Sequence, residues 1–386
     1  MERPEMGWED PAYQITTGPM RLSIKLSDDG YLGRVWIDEN SDGRFDMFEV
    51  VSNPQPVPSL YLKVIRADDP SDYSPGMWRL KGRVAPYWGR ADTIWVTEEA
   101  GVARIHSRGR FGRSDHWPYE LELTVREGST TVAVKFNFQY RGDPSVDFIS
   151  ALGAVTGFDY RDRHTFVMRR FAFGGHDRVR QTVVNEAKWN NVARGHLAGN
   201  TRRLSASGGG PAESSSYEYG VSPTIEVWDV PMPEWNLVSM IQYTPDYYKI
   251  WKAIGEDVGN LPVHFGKQCR GWVDVSDTTR GMAVVLKGMA EQAPKALSVD
   301  MGVWDPGAYV RVELWPDQIP PLDLRPVTGS DTGLESEGVK ARISESGIER
   351  TSEWMIKFHP GDYRTGGVEK EAAAFLGDGS KGGGGR

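Results

Sequence analysis

The chain has 386 residues, 39% hydrophobic, 25% charged and 11% aromatic, with 45 basic against 53 acidic side chains. This leaves room for two to three packed domains and is too apolar for wholesale disorder. The acidic balance argues against a nucleic-acid partner, and the absence of any long apolar run argues against a membrane-spanning helix.

The opening stretch, MERPEMGWEDPAYQ, lacks the apolar region of a signal peptide. The chain therefore reads either as cytoplasmic or as a mature form whose leader has been removed. The first period-2 pattern, RLSIKLS over 21–27, predicts a β-strand.

The next feature is DENSDGRFDMFE, over residues 38–49. Asp38, Asn40 and Asp42 stand at positions 1, 3 and 5 of a calcium-loop pattern, and Gly43 at position 6. Arg44 offers its carbonyl at position 7, Asp46 stands at 9 and Glu49 at 12. Calcium takes six to eight hard oxygens, which this spacing can supply. The flanking runs YLGRVWI and MFEVVS read as strands, so an EF-hand helix pair is not expected. The expectation is a structural Ca2+ site stiffening a hairpin, with a bare acidic turn as the alternative.

Alternation resumes at YLKVIRA (61–67), VARIHSRGRF (102–111), YELELTVRE (119–127) and TTVAVKFNFQY (130–140). A basic, aromatic run follows at 160–181, YRDRHTFVMRRFAFGGHDRVRQ. Abstraction of a proton beside a sugar carboxylate needs a cation to neutralise that carboxylate and a base to take the proton. Arg169 and Arg178 are the cation candidates, and His164, His176 or, further on, Tyr248 the base. The alternative is a charged outer strand face whose arginines are paired elsewhere. Aromatic rings near polar groups suit sugar stacking. Trp189, Asn190, Trp235 and Tyr247 are the candidates, against the alternative that most such rings are core.

SASGGGPAESSS (205–216) reads as a loop and TIEVWDV (224–230) as a strand. PDYYKIWKAIG (245–255) is the best helix candidate, with KGMAEQAPKAL (287–297) a second. The single cysteine, Cys269, excludes an internal disulfide and suits a buried thiol. GMAVVLKG (281–288) and YVRVELW (309–315) complete the strands. Residues 326–386 hold one strand-like stretch, TSEWMIKF at 351–358, and end in a Gly-rich tail.

The expected fold is all-β with minor helices. A small N-terminal β-barrel-like unit spans 1–85, a large antiparallel β-sandwich 86–325, and a C-terminal segment the remainder. Three phrases carry a family resemblance: FNFQYRGDPSVDFISALGAVTGF (136–158), GWVDVSDTTRGMAVVLKG (271–288) and ELWPDQIPPLDLR (313–325). In order and spacing they resemble the exo-rhamnogalacturonan lyases, bacterial polysaccharide lyases. The resemblance implies an N-terminal barrel and a central sandwich. It also implies a C-terminal α/α toroid, of which EKEAAAFLGDG looks like the entry before the chain stops.

The implied activity is β-elimination on an acidic polysaccharide. The catalytic assignments above rest on residue chemistry and on no matched family motif. The alternative is a non-catalytic sandwich at the cell surface that binds glycans or forms a homo-oligomer by strand exchange, with 351–358 as the donated strand.

Overall fold

The computed structural model describes residues 12–25, 29–52, 58–69, 71, 80–113, 115–160, 168–174, 179–185, 202–204, 225–229, 237–254, 258–277, 279–300, 307–324, 342–344, 347–361 and 366–377. A four-stranded antiparallel sheet opens it: β1 (Ala12–Thr16), β2 (Met20–Lys25), β3 (Val35–Ile37) and β4 (Val50–Ser52). The acidic segment 38–49 is the β3–β4 connection, as the strand-like flanks predict.

The sandwich strands follow. They are β5 (Leu60–Ala67), β6 (Gly82–Glu99), β7 (Val102–Phe111), β8 (Pro118–Arg126), β9 (Thr131–Tyr140) and β10 (Asp147–Asp159). Next come β11 (Met168–Gly174), β12 (Val179–Asn185), β13 (Arg202–Leu204), β14 (Ile225–Asp229), β15 (Leu237–Thr244) and β16 (Tyr247–Ile254). Then β17 (Val258–Gly266), β18 (Trp272–Ser276), β19 (Arg280–Leu286) and β20 (Lys295–Asp300). The last are β21 (Gly307–Trp315), β22 (Leu322–Asp323), β23 (Arg342–Ser344) and β24 (Gly347–Pro360), before helix α1 (Gly366–Leu376).

Pairing gives a first sheet in the order β17-β16-β15-β20-β21-β10-β5-β6, antiparallel throughout. The second runs β6-β7-β8-β9-β24-β19-β18-β11-β12-β14-β13, with β12 and β14 parallel. β6 belongs to both: residues up to Trp88 pair with β5, and those from Gly89 with β7. The crossing needs a residue without a Cβ, because one on Gly89 would stand 2.8 Å from Leu60 Cβ.

One apolar core joins the small sheet to the sandwich. Met20, Leu22, Ile24 and Val35 pack in the same cluster as Leu123, Phe136, Val284 and Trp354. Trp354 is fully buried, worth roughly 2–3 kcal/mol by area. Its indole donates to Tyr31 Oη (3.1 Å), which in turn bonds Thr156 Oγ1 (3.0 Å). Burial pushes the Tyr31 phenol up to about 12.

Three expectations change. Of the helix expected over 245–255, the described residues 245–254 form none: Tyr248 and Ile250 face the core while Tyr247, Lys249 and Trp251 take the other face, which is strand period. Residues 287–292 form turns, and 295–300 are strand β20. The apolar stretch 351–358 is no free strand, because β24 is bonded to β9 on one side and β19 on the other. A strand paired on both edges cannot be donated without breaking the sheet.

The boundary drawn at residue 85 runs through β6, and β5 before it pairs with β10 of the sandwich. Residues 378–386 and 205–216 lie outside the described residues. No described helix is long and apolar enough to cross a membrane.

Candidate functional site

One side of the first sheet carries most of the candidate groups, open to solvent toward its two ends and covered between them, where Ile241 and Ala296 are fully buried. The register sets Lys249, Ile241, Ala296, Glu313, Gly153, Tyr61 and Trp88 in one row across β16, β15, β20, β21, β10, β5 and β6. Seven strands spaced ~4.8 Å apart span about 29 Å. Alternation explains the composition. In β21, Ala308, Val310, Val312 and Leu314 fill the core, leaving Arg311 and Glu313 on the opposite face.

One end of the row is aromatic and cationic. Tyr247 is 38% and Phe265 67% exposed. Trp251 Nε1 donates to Tyr243 Oη (2.5 Å), and the Tyr243 and Tyr247 rings lie 6.0 Å apart. Lys249 Nζ sits 4.8 Å from the Trp251 ring centroid and 5.4 Å from that of Tyr247. Exposed rings with a cation beside them can stack a sugar and meet a negative substituent.

The middle of the row is ionisable. Arg311 pairs with Asp300 at 2.6 Å, and Lys63 with Asp317 at 3.1 Å. Beneath them Glu313 is 2% exposed and accepts a hydrogen bond from Ser298, whose hydroxyl stands 2.8 Å from that of Ser239. Burial raises the Glu313 carboxyl to about 7, with Asp317 adding to it, while the Ser298 bond and Arg311 act against the rise. Burial and Glu313 also hold the Tyr61 phenol well above its ordinary value. A carboxyl that exchanges its proton near neutrality, with an arginine alongside, is an arrangement found at functional sites.

The acidic loop forms a second feature. Asp38 Oδ2 accepts from Gly43 N (2.9 Å), Asn40 Oδ1 from Asp42 N (2.9 Å) and Asp42 Oδ1 from Arg44 N (2.8 Å). Asp46 Oδ1 accepts from Phe48 N (2.7 Å), and Glu49 receives Glu39 N and Asp46 N. Ser41 and Gly43 both take positive φ, 59° and 75°. Among the described residues no three His, Cys, Asp or Glu side chains stand together as a metal-holding group. The loop oxygens are bonded to its own backbone.

Of the predicted catalytic and sugar-binding residues, Tyr247 and Tyr248 alone have described side chains. His164, His176, Arg178, Trp189, Asn190 and Trp235 lie outside the described residues, and Arg169 is placed only as a backbone position in β11. Tyr248 is fully buried among core side chains, so it faces away from the surface that carries Tyr247. A phenol enclosed in apolar core does not reach a polymer on that surface. Arg311, Glu313, Tyr61, Lys63 and Lys249 were missed. The signal was present in YVRVELW, where period 2 sets Arg311 and Glu313 on one face opposite the apolar one. Cys269 is pushed up to about 12 by burial, which fits an inert thiol.

The three quoted phrases are turn and packing devices. Asp143 Oδ1 accepts from Ser145 N (3.0 Å) and from its hydroxyl. Asp277 Oδ1 receives Thr279 N (2.7 Å) and Arg280 N (2.8 Å), and Trp315 Nε1 donates to Pro320 O (3.2 Å). The family model described as the PcRGLX-like protein central beta sandwich domain matches residues 86–362. The chain belongs to the PcRGLX-like family. This bears out the rhamnogalacturonan lyase resemblance and carries the family sandwich past residue 325, through β24.

The PcRGLX-like chain is also 27% identical over 121 residues to the uncharacterized protein YetA of Bacillus subtilis (strain 168), covering 31% of this chain and 14% of that protein. Among solved structures, the galactosidase domain of the α-galactosidase-sucrose kinase AgaSK matches with TM-score 0.42 and 10% identity, over 91% of this chain and 41% of that one. A galactose mutarotase-like protein from Clostridium acetobutylicum matches with TM-score 0.42 and 8% identity, over 93% and 98%. The chain thus spans well under half the length of YetA and of the AgaSK domain.

Proposed function

We propose that this chain is the sandwich of a carbohydrate-active protein that takes an acidic polysaccharide outside the cell and supports its cleavage by β-elimination. The observation that carries the reading is the exposed group of Tyr243, Tyr247, Lys249, Trp251 and Phe265 at one end of the first sheet, with an ionisable cluster three strands away on the same side. In β-elimination a base removes the proton beside the uronate carboxylate. A double bond forms, and the glycosidic oxygen leaves with a proton. Cations that neutralise the carboxylate favour the first step. Arg169, Arg178, His164 and His176 belong to this reading as its candidates for cation and base.

The test is incubation with rhamnogalacturonan and other uronate polymers, following ultraviolet absorbance of unsaturated sugar ends. Growth of that signal is expected, and its loss in Trp251→Ala and Lys249→Ala. Binding without absorbance growth for every polymer would leave a glycan-binding sandwich and remove the lyase step.

A structural calcium ion belongs to the same proposal. It is favoured by the positive φ at Ser41 and Gly43, which brings Asp38, Asn40 and Asp42 along one turn with hard oxygens. Asp38, Asn40, Asp42, Asp46, Glu49 and the Arg44 carbonyl would hold it, and its part would be to stiffen the hairpin.

A further inference from the structure

Arg311 and Lys63 form the accessible cationic rim of the cluster. Their side chains are 31% and 43% exposed, against 20% for Asp300 and 36% for Asp317. Glu313 lies below this rim and meets the others through their fields. Asp317 and Arg311 act on its carboxyl, and Arg311 in turn feels Tyr61, Asp300, Glu313 and Asp317. The elements around Glu313 supply Tyr61 and Lys63 from β5, Asp300 from β20, Arg311 from its own strand and Asp317 from the loop after it. β10 contributes Gly153 and Val155, which carry no charge.

The balance turns on one proton. Lys63 and Arg311 cancel Asp300 and Asp317, so with Glu313 neutral the cluster has no net charge. Ionised Glu313 leaves one negative charge in excess. It also gives Arg311 a second carboxylate to satisfy from within the protein.

We propose that Arg311, with Lys63, receives the carboxylate of an acidic sugar lying against the rim these two cations form, and that Glu313 positions this subsite by leaving the cluster without excess negative charge only while uncharged. The inference rests on the glycan reading above and supplies its charged subsite. Glu313 does not touch the ligand. It acts through Arg311. The upward shift of its carboxyl to about 7 puts the change in the neutral range. Tyr61 stays neutral across that range, because its phenol is raised well above its ordinary value.

The experiment is calorimetric titration of the full chain with polygalacturonate at pH 6 and pH 8.5, with a neutral galactan as control. Wild-type affinity for polygalacturonate should fall about tenfold between the two, the effect of one added charge in a partly buried cluster. Glu313→Gln should bind at both pH values as wild type binds at pH 6. Arg311→Gln should bind weakly at both. Asp317→Asn, which removes a charge that raises Glu313, should move the midpoint to lower pH.

Wild type and Glu313→Gln with the same pH profile, or Arg311→Gln as tight as wild type, would overturn the subsite and leave the glycan reading standing. No binding of any polymer at any pH would remove both.

Discussion

Arg280 Nε lies 2.8 Å from Glu39 Oε1, joining the second sheet of the sandwich to the acidic loop of the small sheet. The guanidinium also donates to Val50 O (2.5 Å) and Phe48 O (2.6 Å), so one side chain holds both sides of the β3–β4 connection. Its side chain is 4% exposed and that of Glu39 15%, so the pair is screened little by water. Removing one partner leaves a buried charge alone. Arg280→Met should therefore cost about 3–5 kcal/mol, and Arg280→Met with Glu39→Gln less than the sum of the two. Denaturant unfolding of the four proteins checks this. Additive losses would show that the pair is not coupled.

Calcium should raise the melting temperature if the loop binds it, and chelation should reverse the rise. Metal that binds only the folded state at a hundredfold excess over its dissociation constant adds about 2.7 kcal/mol. Asp38→Asn with Asp42→Asn should abolish the response. Melting that is the same with calcium and with chelator leaves the backbone-bonded acidic turn.

Glu313 makes stability fall with rising pH. Its folded carboxyl sits at about 7, above the ordinary 4.5, so the folded state binds the proton more tightly. That stability is fully present below pH 4.5 and is lost as pH rises through about 7. The loss amounts to roughly 3 kcal/mol for a fully buried group. Glu313→Gln should remove this component of the pH profile in urea unfolding, and a profile identical to wild type would show that Glu313 does not supply it.

Lys295 is fully buried and its amine is held well below its ordinary value by burial and by Arg350. Its Nζ donates to Lys287 O (3.2 Å) and Gln292 Oε1 (2.5 Å). A folded pKa below the unfolded one means stability rises with pH toward the ordinary value, 10.5. Lys295→Met should be at least as stable as wild type at neutral pH, gaining about 1–2 kcal/mol, and should lose that rise. Thermal unfolding at pH 7 and 9.5 distinguishes the two chains.

Gly281 leaves room for His359. A Cβ there would stand 2.2 Å from His359 Cε1, and His359 Nε2 is 3.1 Å from the buried Asp274 carboxylate. His359 Nδ1 also lies 2.7 Å from Pro360 O, so both ring nitrogens face oxygen atoms and the ring is fixed in place. Gly281→Ala should cost about 1–3 kcal/mol by displacing the ring. His359→Ala in the same chain should recover the steric part, and a double variant no more stable than Gly281→Ala would exclude the clash as the cause.

The sequence by itself determined the strands, because period 2 is a local property: YVRVELW and VARIHSRGRF alternate before any partner is known. It determined the family too, since the Asp143, Asp277 and Trp315 turns are built from neighbours within five residues. It misled at 245–255, read as the best helix candidate, where Tyr247, Lys249 and Trp251 in fact share one face of strand β16. Only the tertiary structure decided that β24 is interior, that Arg280 reaches Glu39, and that Glu313 lies beneath Arg311, Lys63 and Asp317. Register between strands far apart in the chain sets those meetings, and burial in the assembled sheet moves the Glu313 carboxyl toward neutrality.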